Sequence, residues 1–273
     1  MEQKMIDDEY ILEIKNNDSF SLTYKAIKKG NETKYTIIRI MKNLDDETIE
    51  KILEQGREIM KELNHPNIPK VIDYKEDSKS HNYICEYYSD QNIRNYFKDY
   101  MIEKNKPLSE DIVQFIMKQV VSAIKYLHDK KIVHRDIKPE NLFIKYNTEE
   151  DLLKKNIFNS KIILEGFYIS THLKKGDKLV IQAGTANHMA PEIINSKYNE
   201  KVDIWGLGVI CFELLHGGLP YTSKRFNNRN KFELKKPLSK EAISFIDCML
   251  EVDQNKRASA FELSKHAFLT KNI

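Results

Sequence analysis

The chain has 273 residues, of which 41% are hydrophobic and 31% are charged, so it can bury sizeable cores and keep a polar surface. Its net charge of +3 is small against 44 basic and 41 acidic side chains, which argues against nucleic acid or membrane partners. No apolar run approaches the roughly 20 residues of a membrane span. Cys85, Cys211 and Cys248 stand among apolar neighbours, as the reduced thiols of a cytoplasmic protein do.

Three short apolar segments near the N-terminus predict an antiparallel strand meander. They cover residues 10–14, 20–27 and 35–41. Turn-forming residues at 16–18 separate the first two segments. A helix is predicted to follow, because acidic residues at 45–47 precede apolar residues that recur at helical spacing.

The middle of the chain predicts mainly helices. Residues 90–100 and 109–129 have helical patterns, and the second carries an apolar stripe that is typical of a buried helix. Residues 145–160 form a polar insertion, which we expect to be a mobile surface loop.

The stretch Ile132–Phe143 contains the pattern H-R-D-x-K-P-x-N. It resembles the catalytic loop of eukaryotic protein kinases. In this family the aspartate, here Asp136, accepts the proton of the substrate hydroxyl, and the lysine, here Lys138, faces the transferred phosphate. The asparagine, here Asn141, holds a metal ion. The resemblance therefore implies catalytic roles for these three residues.

Further motifs match the same family. Residues 184–192 resemble the substrate loop of serine/threonine kinases, which adds Thr185 to the implied catalytic residues. Asp203 begins a motif that resembles D-x-W-x-x-G, whose aspartate braces the catalytic loop. Arg257 stands where the family pairs an arginine with the glutamate of the substrate loop, here Glu192.

The resemblance implies an α+β, two-lobed protein kinase fold. Residues 1–87 would form a small, mainly antiparallel β lobe with one long helix, the C-helix, and a hinge at 85–88. Residues 88–273 would form a larger, mainly helical lobe. This second lobe would contain the catalytic loop at 132–143 and an activation segment at 164–192.

The resemblance also implies an ATP site, most of whose positions are altered. These positions are Asn16, Asp18, Ser21, Ile37, Arg39, Cys85, Glu86 and Leu142. The first three stand where the family has the glycines of its phosphate loop, and side chains there obstruct the approach of backbone to phosphate. Arg39 replaces the strand lysine, and Ile37 replaces a small alanine that packs against the adenine ring.

Two more groups that hold Mg-ATP in the family are replaced. Gly56 stands at the position of the C-helix glutamate that pairs with the strand lysine, and Leu164 stands at the position of the metal-binding aspartate. An apolar leucine cannot hold a hard cation, which requires oxygen ligands. If a metal is bound, Asn141 is its expected ligand, with Glu165 as a candidate substitute for the lost aspartate.

Glu165 stands where the family has a phenylalanine beneath the C-helix. A carboxylate buried there without a partner would be costly, so it should find a cation or turn to solvent. We hypothesise a direct ion pair between Arg39 and Glu165, because Arg39 has lost its usual partner. The alternative is a solvated Glu165 in a mobile loop.

The losses fall on the groups that hold Mg-ATP, which favours an inactive protein. The leading hypothesis is a pseudokinase that acts as a scaffold or allosteric partner of other proteins, such as an active kinase or another client, without a cofactor. The alternative is an atypical or weakly active serine/threonine protein kinase that uses ATP, magnesium and the intact catalytic loop. A sensor that binds nucleotide without catalysis lies between the two.

Overall fold

The structure, a computed structural model, describes residues 5–6, 9–18, 20–30, 32–42, 45–173, 179, 183–195, 197–220 and 237–271. Contacts divide the chain into two units. The first comprises Met1–Gln91 and Phe143–Thr171, and the second comprises Asn92–Leu142 and His172–Ile273. The lobe boundaries expected from the sequence stay a prediction. Parts of the predicted activation segment, residues 174–178 and 180–182, lie outside the described residues.

The described residues contain both strands and helices, which confirms the predicted α+β class. The strands are β1 (Met5–Ile6), β2 (Tyr10–Asn17), β3 (Ser21–Lys28), β4 (Lys34–Met41), β5 (Val71–Glu76), β6 (Ser80–Glu86), β7 (Ile132–Val133), β8 (Leu142–Tyr146), β9 (Ser160–Leu164) and β10 (Thr171–His172). The α-helices are α1 (Glu47–Glu62), α2 (Ile93–Lys104), α3 (Glu110–Asp129), α4 (Glu149–Leu153), α5 (Pro191–Asn195), α6 (Lys201–His216), α7 (Lys240–Met249), α8 (Ala260–Ser264) and α9 (Ala267–Thr270). Short 3₁₀ turns cover Pro139–Asn141, Ile157–Asn159, Phe167–Ile169 and Ala186–His188.

The first unit is built on one six-stranded antiparallel sheet, in the order β1-β2-β3-β4-β6-β5. Strands β2, β3 and β4 form the predicted meander. Strand β2 extends through Asn16 and Asn17, which the sequence placed in a turn, because these residues pair with Thr23 and Leu22 of β3.

One face of this sheet, which we call the outer face, carries its own apolar cluster. Tyr24 of β3, Ile37 of β4 and Ile84 of β6 are buried there together with Tyr10 and Ala26. Because successive side chains of a strand point to opposite faces, the residues next to these in sequence belong to the other face.

The other face, which we call the helix face, lies toward α1. The hydroxyl of Tyr83 donates a hydrogen bond of 2.8 Å to the backbone oxygen of Arg57 in α1. Strand pairing sets Ile38 opposite Tyr83 and Thr36 opposite Cys85, and directly paired residues share a face. The helix face of β4 is therefore formed by Thr36 and Ile38.

Helix α1 is the helix predicted after the meander. Its N-cap Asp46 accepts hydrogen bonds from the backbone nitrogens of Thr48 and Ile49, at 2.9 and 3.0 Å, which satisfies two otherwise unpaired donors. In its middle, Gly56 meets the 3₁₀ turn that follows β9. A Cβ atom on Gly56 would lie 2.5 Å from the backbone oxygens of Phe167 and Tyr168. Glycine at position 56 therefore lets α1 lie closer to the backbone of Phe167 and Tyr168 than a residue with a Cβ atom would.

Replacing Gly56 with alanine tests this contact. In an exposed helix the change would stabilise by about 1 kcal/mol. Here we expect the free energy of unfolding to fall by about 2 kcal/mol, because backbone atoms must move to admit the methyl group. Urea denaturation measures the change. The matched control is Gly218→Ala, where an added Cβ meets nothing within 4 Å; equal effects of the two substitutions would contradict the contact.

The insertion between β8 and β9 contains secondary structure, and its side chains gather around a buried carboxylate. Its expected mobility stays a prediction. It forms α4 and the 3₁₀ turn Ile157–Asn159. Asp151 of α4 is buried and accepts hydrogen bonds from the hydroxyl of Thr148 and from the side-chain amides of Asn156 and Asn159, the latter two at 3.0 and 2.6 Å. The polar residues of the insertion pair with one another.

The second unit is mainly helical. Helix α3 buries the apolar stripe that its sequence predicts, and α6 is buried along almost its whole length. Nη1 and Nη2 of Arg257 contact the carboxylate of Glu192, at 2.6 and 3.0 Å, which is the predicted pair. Among the described helices, none has the length and apolar character needed to cross a membrane.

Candidate functional site

The loop after β7 is held by a buried carboxylate of α6. Asp203 accepts hydrogen bonds from the backbone nitrogens of His134 and Arg135, at 2.9 and 2.8 Å, and lies 2.9 Å from Nε2 of His128. Burial would raise the pKa of Asp203, but the hydrogen bond of His128 and the nearby donors lower it instead. Asp203 thus braces this loop, as its motif predicts.

Three of the four residues assigned to catalysis converge on the carboxylate of the fourth, Asp136. The backbone nitrogen and hydroxyl of Thr185 donate to it at 3.0 and 2.7 Å. Nζ of Lys138 lies 2.9 Å from it, and Nδ2 of Asn141 donates at 3.0 Å. Their catalytic roles stay a prediction, but the structure brings all four together within the second unit.

Asp136 is kept ionised by its neighbours. It is buried, and burial alone would raise its pKa. The charge of Lys138 and the hydrogen bonds of Thr185 and Lys138 outweigh that effect and lower the pKa below its ordinary value. The group is therefore a carboxylate at neutral pH.

Asn141 offers one oxygen to a cation. Its Nδ2 also donates to the backbone oxygen of Asp136 at 2.8 Å, while its Oδ1 is buried and has no hydrogen-bond partner. An amide oxygen is a suitable ligand for a hard cation. Within the described part of the chain, however, no three His, Cys, Asp or Glu side chains form a group that could hold a metal ion.

Leu164, at the position of the family's metal-binding aspartate, has no ligand to offer. It ends β9, its side chain is fully buried, and its backbone nitrogen donates to the oxygen of Asn67 at 2.8 Å. A leucine side chain therefore cannot supply the oxygen ligand that a metal ion would need at this position.

Glu165 lies on the helix face, buried and hydrogen-bonded. It is 3% exposed, which rules out the solvated alternative. One carboxylate oxygen accepts from the hydroxyl of Thr23 at 2.7 Å, and the other accepts from the hydroxyl of Tyr88. Burial raises the pKa of Glu165, and the charge of Lys15 with the two hydrogen bonds opposes this only in part.

The hypothesised ion pair between Arg39 and Glu165 is wrong. Nε of Arg39 donates to Oδ1 of Asn82 at 2.7 Å, and its guanidinium carbon lies 5.3 Å from the ring centroid of Tyr24 on the outer face. Glu165 is on the opposite side of the sheet. A strand alternates its side chains, so Ile38 takes the place on the helix face that the sequence assigned to Arg39.

The expected phosphate-loop positions lie at the tip of the β2–β3 hairpin. Nδ2 of Asn16 donates to a carboxylate oxygen of Asp18 at 3.3 Å, and the backbone nitrogen of Asp18 donates to the oxygen of Ser21 at 2.9 Å. Ser21 is buried and begins β3. These residues form a tight hairpin end.

Among the other expected ATP-site positions, Ile37 and Cys85 lie on opposite faces of the sheet. Ile37 lies in the outer-face cluster, whereas Cys85 is buried on the helix face. Glu86 is exposed and pairs with Lys145 at 2.9 Å, which lowers the pKa of Glu86. Leu142 is buried at the start of β8. Their assignment to an ATP site stays a prediction.

The sequence did not point to four further residues: Lys15, Thr23, Tyr88 and Phe143. Thr23 and Tyr88 donate hydrogen bonds to Glu165, and Lys15 contacts the rings of Tyr88 and Phe143. The side chain of Lys15 is only 1% exposed, which is unusual for lysine. Burial lowers the pKa of Lys15 to about 8. The alternating pattern of β2 could not reveal this, because the pairing with β3 shifts by one residue between Ile14 and Asn16.

Replacing Lys15 with methionine tests this burial through the pH dependence of stability. The folded chain releases the Lys15 proton near pH 8, whereas the unfolded chain keeps it until about 10.5. The free energy of unfolding of the wild type should therefore rise across this window, by about 3 kcal/mol from this group, and Lys15→Met should lack that rise. Denaturation in urea from pH 7 to 10 measures it, with Lys29→Met, at an exposed position, as control. Parallel pH curves for all three proteins would contradict a buried Lys15.

An antiparallel sheet carrying one long helix, together with a helical unit whose braced loop surrounds an ionised aspartate, is the architecture of a protein kinase. The chain belongs to this family: the model described as protein kinase domain matches residues 17–269. The predicted resemblance to eukaryotic protein kinases is confirmed.

Several curated serine/threonine kinases and related kinases are similar to this chain. Aurora kinase of Eremothecium gossypii is 32% identical over 85% of this chain and 60% of that protein. Serine/threonine-protein kinase 33 of Bos taurus is 31% identical over 93% of this chain and 53% of that protein. A probable myosin light chain kinase of Dictyostelium discoideum is 31% identical over 93% of this chain and 80% of that protein. The chain thus spans little more than half the length of the first two.

Proposed function

We propose that this protein is a pseudokinase, a kinase-family domain that binds Mg-ATP weakly or not at all and acts as a scaffold or allosteric partner of other proteins. The observation that carries the proposal is the pair Leu164 and Glu165. The first is a buried apolar side chain at the position of the metal-binding aspartate. The second is a carboxylate whose two oxygens already accept hydrogen bonds from Thr23 and Tyr88.

The chemistry of phosphoryl transfer supports this reasoning. Kinase catalysis depends mainly on positioning and on electrostatic stabilisation by metal ions and cations. Here the strand residue on the helix face is Ile38, an apolar side chain, and α1 carries Gly56 where the family has a glutamate. The effects of removing catalytic groups that act as a unit are strongly non-additive. The rate lost when several are missing therefore cannot be estimated from the contribution of one group. The client of such a scaffold would be a protein, for example an active kinase.

A specific observation favours a second candidate, a weakly active serine/threonine protein kinase. Asp136 is ionised and in contact with Lys138, Asn141 and Thr185, as a catalytic loop requires. The free Oδ1 of Asn141 could serve a cation. This candidate would use ATP and magnesium to phosphorylate a protein hydroxyl.

Thermal unfolding with nucleotide separates the two candidates. A ligand at 100 times its Kd stabilises by about 2.7 kcal/mol, or about 5 °C in a chain of this size. We expect millimolar ATP with Mg²⁺ or Mn²⁺ to raise the melting temperature by less than about 1 °C, because Leu164 offers no side-chain oxygen and both carboxylate oxygens of Glu165 already accept hydrogen bonds.

A kinase assay supplies the matched control. Wild type and Asp136→Asn should both remain at the background rate of phosphate transfer to a generic protein substrate. Transfer by the wild type that Asp136→Asn abolishes, together with a metal-dependent rise in melting temperature, would establish the second candidate instead.

The change Arg39→Lys, which puts a lysine at the position that the sequence assigned to the family's strand lysine, should have no effect on nucleotide binding or activity. Arg39 lies on the outer face, where it contacts Asn82 and Tyr24, so an ammonium at this position cannot reach the helix face. Melting with Mg-ATP and the same transfer assay check this. A metal-dependent gain of several degrees in this variant would contradict the register of β4.

A further inference from the structure

The ammonium of Lys15 is buried inside the first unit, and burial of a cation is costly unless polar groups replace its water. Lysine has three N–H donors to satisfy. Nζ of Lys15 donates to the backbone oxygen of Tyr88 at 3.1 Å and lies 3.8 Å from a carboxylate oxygen of Asp90. Burial lowers the pKa of Lys15, and the charges of Glu165 and Asp90 oppose this in part.

Three aromatic rings complete the surroundings of this nitrogen. Nζ lies 4.3 Å from the ring centroid of Tyr88, 5.0 Å from that of Phe143 and 5.5 Å from that of Tyr87. All three distances are within the range of cation–π attraction. The negative faces of aromatic rings are the groups that recognise organic ammonium ions in proteins.

The rings are held in place by their own packing. Tyr88 and Phe143 meet edge to face, with centroids 5.6 Å apart, and both are buried with Ile163 of β9. The hydroxyl of Tyr88 donates a hydrogen bond to the carboxylate of Glu165. The positions of the Tyr88 and Phe143 rings therefore do not depend on Lys15 alone.

A β-bulge in β2 directs the side chain of Lys15 toward these aromatic rings. Ile14 pairs with Tyr24, and Asn16 pairs with the preceding residue of β3, Thr23, so Lys15 is the extra residue of a β-bulge. Bulges re-aim side chains and are retained as designed features of a sheet. Four separate stretches of the chain thus supply one set of contacts.

We propose that Lys15 is the resident ligand of a built binding site for a primary alkylammonium group. The site is formed by the carbonyl oxygen of Tyr88, the rings of Tyr87, Tyr88 and Phe143, and the carboxylate of Asp90. Glu165 adjoins it through the hydrogen bond that it accepts from the hydroxyl of Tyr88. The inference deepens the proposed function and rests on it in one respect: a domain that does not hold Mg-ATP fills this part of its helix face with its own cation.

Cavity rescue tests the site. The change Lys15→Ala removes three carbons and the nitrogen, which are the atoms of n-propylammonium. We expect the variant to melt at a lower temperature than the wild type. At pH 7, n-propylammonium at about ten times its Kd should raise the melting temperature of the variant by about 3 °C and leave the wild type unchanged.

Two controls make the result specific. n-Propanol has the same shape without the charge and should not raise the melting temperature of Lys15→Ala. Lys29→Ala, which removes an exposed lysine, should not respond to n-propylammonium. Equal responses to the amine and the alcohol, or equal responses of the two variants, would overturn the proposal.

A measurement on the wild-type chain keeps the test independent of whether Lys15→Ala folds. Reductive methylation followed by peptide mass spectrometry reports the accessibility of each lysine. Lys15 should react at least about tenfold more slowly than Lys29, because its ammonium is released only by local opening. Equal rates would overturn the proposal.

Failure of the ammonium site can be distinguished from failure of the pseudokinase proposal. A metal-dependent ATP shift in the wild type, with the rescue by n-propylammonium intact, would overturn the pseudokinase proposal alone. An absent rescue and an unprotected Lys15, without any ATP shift, would overturn the ammonium site alone.

Discussion

A carboxylate buried beneath a β-sheet must be matched by donors and by positive charge, and in the first unit that carboxylate is Glu165. Its hydrogen bonds to Thr23 and Tyr88 connect strand β3, the segment after β6 and the start of the stretch after β9. Lys15 supplies the positive charge from β2. An unmatched partner would leave a buried ion, at a cost of several kcal/mol. The arrangement of these four elements is therefore tied to one set of polar contacts.

The second unit meets the same constraint with different groups. Asp203 and Asp136 are both buried, and each is surrounded by backbone, side-chain and cationic donors. These contacts keep both pKa values low, whereas burial prevails over the contacts of Glu165 and raises its pKa. Asp136 and Asp203 are thus maintained as ions, while Glu165 makes polar contacts with Thr23 and Tyr88.

Small residues and polar insertions also have a structural explanation. The sequence predicts that Gly56 replaces the family's C-helix glutamate, and in the structure it is the point at which α1 touches the backbone of Phe167 and Tyr168. The insertion after β8 is polar because its side chains pair around Asp151. A departure from a family motif can therefore report packing as well as loss of chemistry.

The α+β class and the pairing of Arg257 with Glu192 follow from the resemblance to the family, whereas the meander, the helix after it and the buried stripe of α3 follow from local patterns of residues. The faces of β2 and β4 that meet the helix could not be predicted in this way, because they depend on how the strands pair in the folded chain. A shift of one residue turns every side chain of a strand to the opposite face, so Arg39 lies outside and the bulge at Lys15 directs a lysine inward. The local pattern of apolar residues is the same whichever face Arg39 and Lys15 occupy. Only the packing of segments distant in sequence selects one face for each residue.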